Sequence, residues 1–180
     1  MKNTILLVAL LLTASASRAQ NSSSTASQTV QLLLYPAIDI QFTSNSAANG
    51  STIDMVFSNA SNYADGVVSG TQELEVRSNR NFKISVKTDA STFSYLGGQN
   101  TASMPVNNRL FMTVTGNQTG GSVAAGFQNY ASLSANNQDV VLDGVQGTGK
   151  KLIIAYKAKP DMGYPTGTYS VGVIYTATQP

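Results

Sequence analysis

From residue 29 onward, apolar side chains recur at every second position. Val30, Leu32 and Leu34 alternate, Pro36 interrupts, and Ile38, Ile40 and Phe42 resume the pattern. A period of two marks a strand with one buried face. Residues 29–42 are therefore expected to form one long strand, kinked at Tyr35-Pro36 because proline cannot donate to a ladder. Ile53, Met55 and Phe57 predict the next strand, and 59–70 reads as a loop or short edge piece. Leu74 and Val76 line one face of a strand whose other face carries Glu73, Glu75 and Arg77. After the turn-like Ser78 to Asn81, Phe82, Ile84 and Val86 alternate against Lys83, Ser85 and Lys87. The stretch 72–88 is the clearest expected hairpin. Further strands are expected around Leu110 to Val114, Leu133, Val140 to Leu142 and Leu152 to Ala158, and through Tyr169, Val171, Val173 and Tyr175.

No stretch of twelve or more residues keeps a helical period. The expected fold class is all-β, an antiparallel β-sandwich of seven to nine strands.

The amino terminus departs from this pattern. A basic start at Lys2, an unbroken apolar run from Ile5 to Leu12 and the small residues of Thr13 to Ala19 follow the order of a secretory signal. The run falls short of the roughly 20 residues that cross a bilayer. The expected organisation is a signal peptide at 1–19, a flexible polar segment at 20–28 and a single β-sandwich domain at 29–179. Cleavage before Gln20 is the first choice, and before Ser17 the second. The protein is thus expected to be exported, to the periplasm, cell surface or medium, with no integral membrane segment.

Processing changes the charge. The full chain carries 11 Lys and Arg against 9 Asp and Glu. Lys2 and Arg18 leave with the signal, so eleven less two leaves nine of each sign. The basic balance of the precursor is therefore no sign of nucleic acid, and a neutral chain lacks the repulsion that keeps copies apart.

The chain has no histidine and no cysteine. That removes the commonest general base, the thiol nucleophile, the thiolate zinc site and the Ser-His-Asp arrangement. Gly144 to Lys150 has the glycine and lysine spacing of a phosphate loop, but Lys151 stands where Ser or Thr would hold magnesium and a strand follows. A glycine-rich hairpin connection is the plain reading. Glu73 and Glu75 share a strand face, as paired glycosidase carboxylates do, yet pairing with Lys83 or Lys87 on the next strand is expected instead. Asp139 and Asp143 frame a turn without the dense oxygen spacing of a calcium loop. No catalytic residue, cofactor or metal is expected, and the chain is read as a non-enzyme. Tyr63, Tyr95 and Tyr130 fall in loops and are the candidate contact surface for a glycan or protein ligand.

Three segments carry a resemblance: Gln28 to Phe42, Leu74 to Val86, and Leu152 to Pro160 leading to Tyr164 to Thr178. Together they resemble small exported bacterial β-sandwich proteins. These include pilin-like subunits of the chaperone–usher kind, the spore-coat-U-like group and uncharacterised secreted domains common in Bacteroidetes. The resemblance implies an immunoglobulin-like sandwich and a structural or adhesive role at the cell surface. Pilin-like subunits assemble by lending a strand to the next copy. Val30, Leu32 and Leu34 are the candidate assembly strand, with Pro36 as hinge and copies of the chain or related subunits as partners. The alternative is a monomeric secreted module that binds carbohydrate or protein through its loops.

Overall fold

The computed structural model describes residues 22–43, 51–97 and 103–180. The expected signal peptide at 1–19 lies outside them. The chain divides into two units, Met1–Leu34 and Tyr35–Pro180. In the first, residues 22–34 are exposed throughout and form neither helix nor strand.

The second unit is all-β. Its twelve strands are β1 (Ile38–Phe42), β2 (Val67–Val68), β3 (Gln72–Ser78), β4 (Phe82–Thr88), β5 (Ser94–Leu96), β6 (Leu110–Asn117), β7 (Ser122–Val123), β8 (Ala131–Ser132), β9 (Gln138–Gly144), β10 (Gly147–Ala158), β11 (Thr168–Ser170) and β12 (Val173–Thr178). Several are only two or three residues long, which raises the count above the expected seven to nine. A six-residue helix, α1 (Ala60–Asp65), starts at Asn59, whose side chain accepts from the Asn62 N–H while the Asn62 side chain bonds back.

One sheet runs β1-β3-β10-β6-β8, with β2 also beside β10; a second runs β12-β4-β9-β7; β5 and β11 form a third. Every pairing is antiparallel. The two larger sheets share one core. Leu74, Val76, Met112, Leu152 and Ile154 come from the first, and Phe82, Ile84, Val86, Val140 and Val141 from the second. All ten are buried to 1% exposure or less. Burying side chains of this kind is worth about 1.5–3 kcal/mol each, which makes this cluster the main stabilising element.

The pairing differs from expectation at four places. Residues 72–88 are not a hairpin: β3 lies in the first sheet and β4 in the second, so 79–81 cross between sheets. Alternation shows which face of a strand is apolar but not which strand lies beside it. Leu74 and Phe82 meet the same core from opposite sides. The glycine-bearing link from β9 to β10 is likewise a crossing and not a hairpin connection. Gly144 is close-packed there, since a Cβ would sit 2.7 Å from the Phe82 ring. The expected long strand over 29–42 begins only at Ile38. Finally, Tyr169 and Tyr175 lie on different strands, because the chain breaks at Gly172. There the Asp89 carboxylate accepts the Gly172 N–H at 3.0 Å and occupies the space of a side chain.

Candidate functional site

The central strands of the shared core are paired on both sides, while each large sheet ends in two edge strands, of which β12 and β1 lie close together. In the second sheet β12 pairs only with β4, in the register Val173↔Thr88 to Thr178↔Lys83. Among the described residues no strand is hydrogen-bonded to its other side, although β1 comes close to it. Its inward side chains Val173, Tyr175 and Ala177 pack on the core yet stay half-buried. In the first sheet β1 is an edge too, paired among the described residues only with β3. Ile38, Ile40 and Phe42 are half-buried in the same way. The two edges approach each other where the Phe42 and Tyr175 rings meet edge to face, 5.8 Å between centroids.

The expected strand at Ile53, Met55 and Phe57 has the predicted alternation but no ladder. Those three side chains are half-buried while Asp54 and Val56 are exposed. Ile53 and Met55 pack on the core. Among the described residues the backbone of 51–57 makes no backbone hydrogen bond. The segment thus has the side-chain pattern of a strand and an unpaired backbone, an arrangement that invites a further strand.

Val30, Leu32 and Leu34 are 77%, 80% and 88% exposed. Leu33 and Tyr35 are also exposed, at 65% and 75%. Five of the six residues from Val30 to Tyr35 are thus large apolar side chains in water, a feature more common at interaction sites than on the surface at large.

Beneath β12, the Tyr175 hydroxyl lies 2.7 Å from that of Tyr156 and donates to Met112 Sδ. Desolvation pushes the Tyr156 phenol up to about 12, although the Tyr175 bond works against the rise. Tyr175 is raised well above the usual phenol range, first by desolvation and then by Tyr156.

The sequence placed Tyr63 and Tyr95 in loops, whereas Tyr63 lies on α1 and Tyr95 on β5, where it joins an aromatic group. Tyr95 and Tyr169 are opposite each other in the β5–β11 pair, with rings 4.8 Å apart. Tyr164 lies 6.4 Å from Tyr169, and Tyr63 packs on Phe57 at 5.3 Å. Desolvation raises the Tyr169 phenol, followed by the charges of Tyr95, Tyr164 and Tyr63. Tyr164 and Tyr169 were missed, because Tyr169 fits the alternation of the following strand. The group also has a structural task. The Tyr95 and Tyr169 hydroxyls donate to the Thr166 and Pro165 carbonyls and pin that loop. Tyr130 stands elsewhere, with the Lys157 ammonium 5.9 Å from its ring centroid.

The candidate carboxylates Glu73 and Glu75 are both in ion pairs. Glu73 meets Lys151 at 3.0 Å and Glu75 meets Arg77 at 2.8 Å. The expected partners Lys83 and Lys87 lie in the other sheet, and Lys83 pairs instead with Asp139 at 3.4 Å. The hydrogen bond from Lys151, then that from Thr43, holds Glu73 below the usual carboxylate range. Among the described residues no group of three or more acidic, histidine or cysteine side chains is placed to hold a metal. Nor is any described helix long and apolar enough to cross a membrane.

No family model matches the chain, and no curated protein matches it. Among solved structures, a chain from the structure of a chaperone–usher pilus aligns with 12% identity over 88% of this chain and all of its own, at a TM-score of 0.35. The match is weak and of low identity.

Proposed function

We propose that this chain is an exported, non-enzymatic structural subunit of the cell surface, pilin-like in that it assembles by strand exchange. In this reading the two larger sheets form an immunoglobulin-like sandwich that lacks one strand beside β12. Val30, Leu32 and Leu34 of a second copy supply it. The exposure of those three side chains carries the proposal. The unpaired outer edge of β12 and the ladder-free backbone of 51–57 support it. An added strand would gain main-chain hydrogen bonds from the edge, and its alternate side chains would cover half-buried core residues.

The test is size analysis of the natively exported protein. A ladder of multimers that survives mild detergent is expected, and Leu32→Asp should abolish it. A wild-type protein that stays monomeric at all concentrations would refute the reading.

A second reading is favoured by the meeting of Tyr95, Tyr164 and Tyr169. There the chain is a monomeric module that takes a glycan or protein ligand on this aromatic group. Glycan-array binding lost on Tyr95→Ala, with no multimers formed, would establish it in place of the first.

A further inference from the structure

Tyr35, Pro36 and Ala37 precede the first ladder pair of β1, and all three are exposed. Their backbone is nonetheless held firmly. The Asn79 side chain donates from Nδ2 to the Tyr35 carbonyl at 2.7 Å and accepts the Ala37 N–H at Oδ1 at 2.9 Å. These two backbone partners fix which way the amide points. The Asn79 N–H then donates to the Ala37 carbonyl at 3.1 Å. Asn79 thereby takes the place of a peptide group of a partner strand, just beyond the end of β3.

Gln179, immediately after β12, joins the same point. Its Nε2 lies 2.9 Å from the Ala37 carbonyl, 2.8 Å from Ser78 Oγ and 3.2 Å from Asn79 Oδ1, sharing two hydrogens among three acceptors. Three separate parts of the chain meet here: the entry to β1, the crossing from β3 to β4, and the exit from β12.

We propose that Asn79 and Gln179 are positioning residues that clamp the root of the assembly strand, so that tension on it passes into both large sheets at once. This rests on the strand-exchange reading above. The mechanical argument concerns the edge. β1 is a five-residue strand whose ladder among the described residues is with β3. A pull arriving from residue 34 would load that ladder from one end and open it pair by pair. The clamp stands between the pull and the first pair, Ile38↔Ser78. Asn79 sits in the crossing between the two sheets, and Gln179 follows the edge strand of the second. The bonds must therefore break together before β1 peels.

The experiment compares the full exported chain with Asn79→Ala, Gln179→Ala and the double variant. Peptide-resolved deuterium exchange and the lifetime of multimers in warm detergent are the readouts. The double variant should exchange residues 35–42 at least ten-fold faster, with peptides from 152–156 unchanged. Its multimers should dissociate at least ten-fold faster than wild type. If the double variant does not fold, Gln179→Ala alone is expected to give the same local change at smaller amplitude. Unchanged exchange at 35–42 overturns the clamp, as does acceleration spread equally over 152–156. Local loosening with multimers of wild-type lifetime overturns the load-bearing role. Wild-type protein that forms no multimers refutes strand exchange separately, and local exchange then still decides whether the clamp holds.

Discussion

The hydroxyl groups of Tyr156 and Tyr175 lie 2.7 Å apart and join the two large sheets through the only described tyrosine–tyrosine hydrogen bond. Tyr156 belongs to the central strand of the first sheet and Tyr175 to the edge strand of the second. A buried hydroxyl without a partner costs about 1–3 kcal/mol, whereas removing both partners is much cheaper. Tyr175→Phe is therefore expected to lose about 1–2 kcal/mol, and Tyr156→Phe a similar amount. The double variant should lose less than the sum of the two. Urea unfolding of the four proteins closes the cycle; strict additivity would show that the hydroxyls act independently.

The same pair predicts an alkaline limit. Burial raises the folded pKa of Tyr156 to about 12, above the ordinary phenol value of about 10, and raises Tyr175 in the same direction. Between those values the folded state holds protons that the unfolded chain releases, so stability falls as pH rises. It should be fully present below pH 10 and decline from there toward 12. For Tyr156 the loss across this range is on the order of 2–3 kcal/mol. Denaturation midpoints across this range should fall steeply for the wild type. They should fall less for Tyr156→Phe/Tyr175→Phe, and equal slopes would contradict the account.

Leu32→Asp separates assembly from folding. Leu32 is 80% exposed, so the substitution should change monomer stability by no more than about 0.5 kcal/mol. The multimer ladder should disappear at the same time. A large drop in the melting temperature of the monomer would mean that Leu32 belongs to its own fold.

Gly121 tests the packing beside β9. A Cβ there would lie 2.2 Å from the Leu142 carbonyl oxygen and 2.7 Å from the Gly144 nitrogen. Both neighbours are backbone, so neither can swing aside as a flexible side chain would. Gly121→Ala should cost about 2 kcal/mol or more by chemical denaturation. Gly163→Ala, where a Cβ meets nothing within 4 Å, is the control expected to be near neutral.

The apolar faces of the strands were legible in the sequence. Leu74 and Val76, Phe82, Ile84 and Val86, and Leu152, Ile154 and Tyr156 all point into the core as the period of two predicts. Strand neighbours were not legible, because alternation records one face and leaves hydrogen-bonding edges unmarked. This is why 72–88 read as a hairpin and why Glu73 was paired with the wrong lysines. Residues 51–57 show the same limit, with the period of a strand and no ladder. The candidate assembly residues Val30, Leu32 and Leu34 stood out by alternation, yet their exposure could not be inferred from it. Of the contact tyrosines, Tyr95 meets Tyr169, Tyr63 packs on Phe57 and Tyr130 faces Lys157. Proximity between Tyr95 and Tyr169, far apart in the chain, leaves no local trace in the sequence.

No strand in the described residues pairs with the one that follows it in the chain. β1 pairs across β2 to β3, β4 pairs with β9 and β12, and β10 with β2, β3 and β6. Among these ladders folding finds no local hairpin from which to start, and each must close a loop before any contact repays the lost entropy. The centre of the first sheet, β10, is made after residue 146, and the edge of the second, β12, after residue 172. A chain emerging from synthesis can complete neither large sheet until nearly all of it exists. Refolding from denaturant is expected on the milliseconds-to-seconds scale of non-local β topologies, or slower. Throughout that interval the chain presents unpaired strands to every other copy, and its yield of native protein should fall as concentration rises.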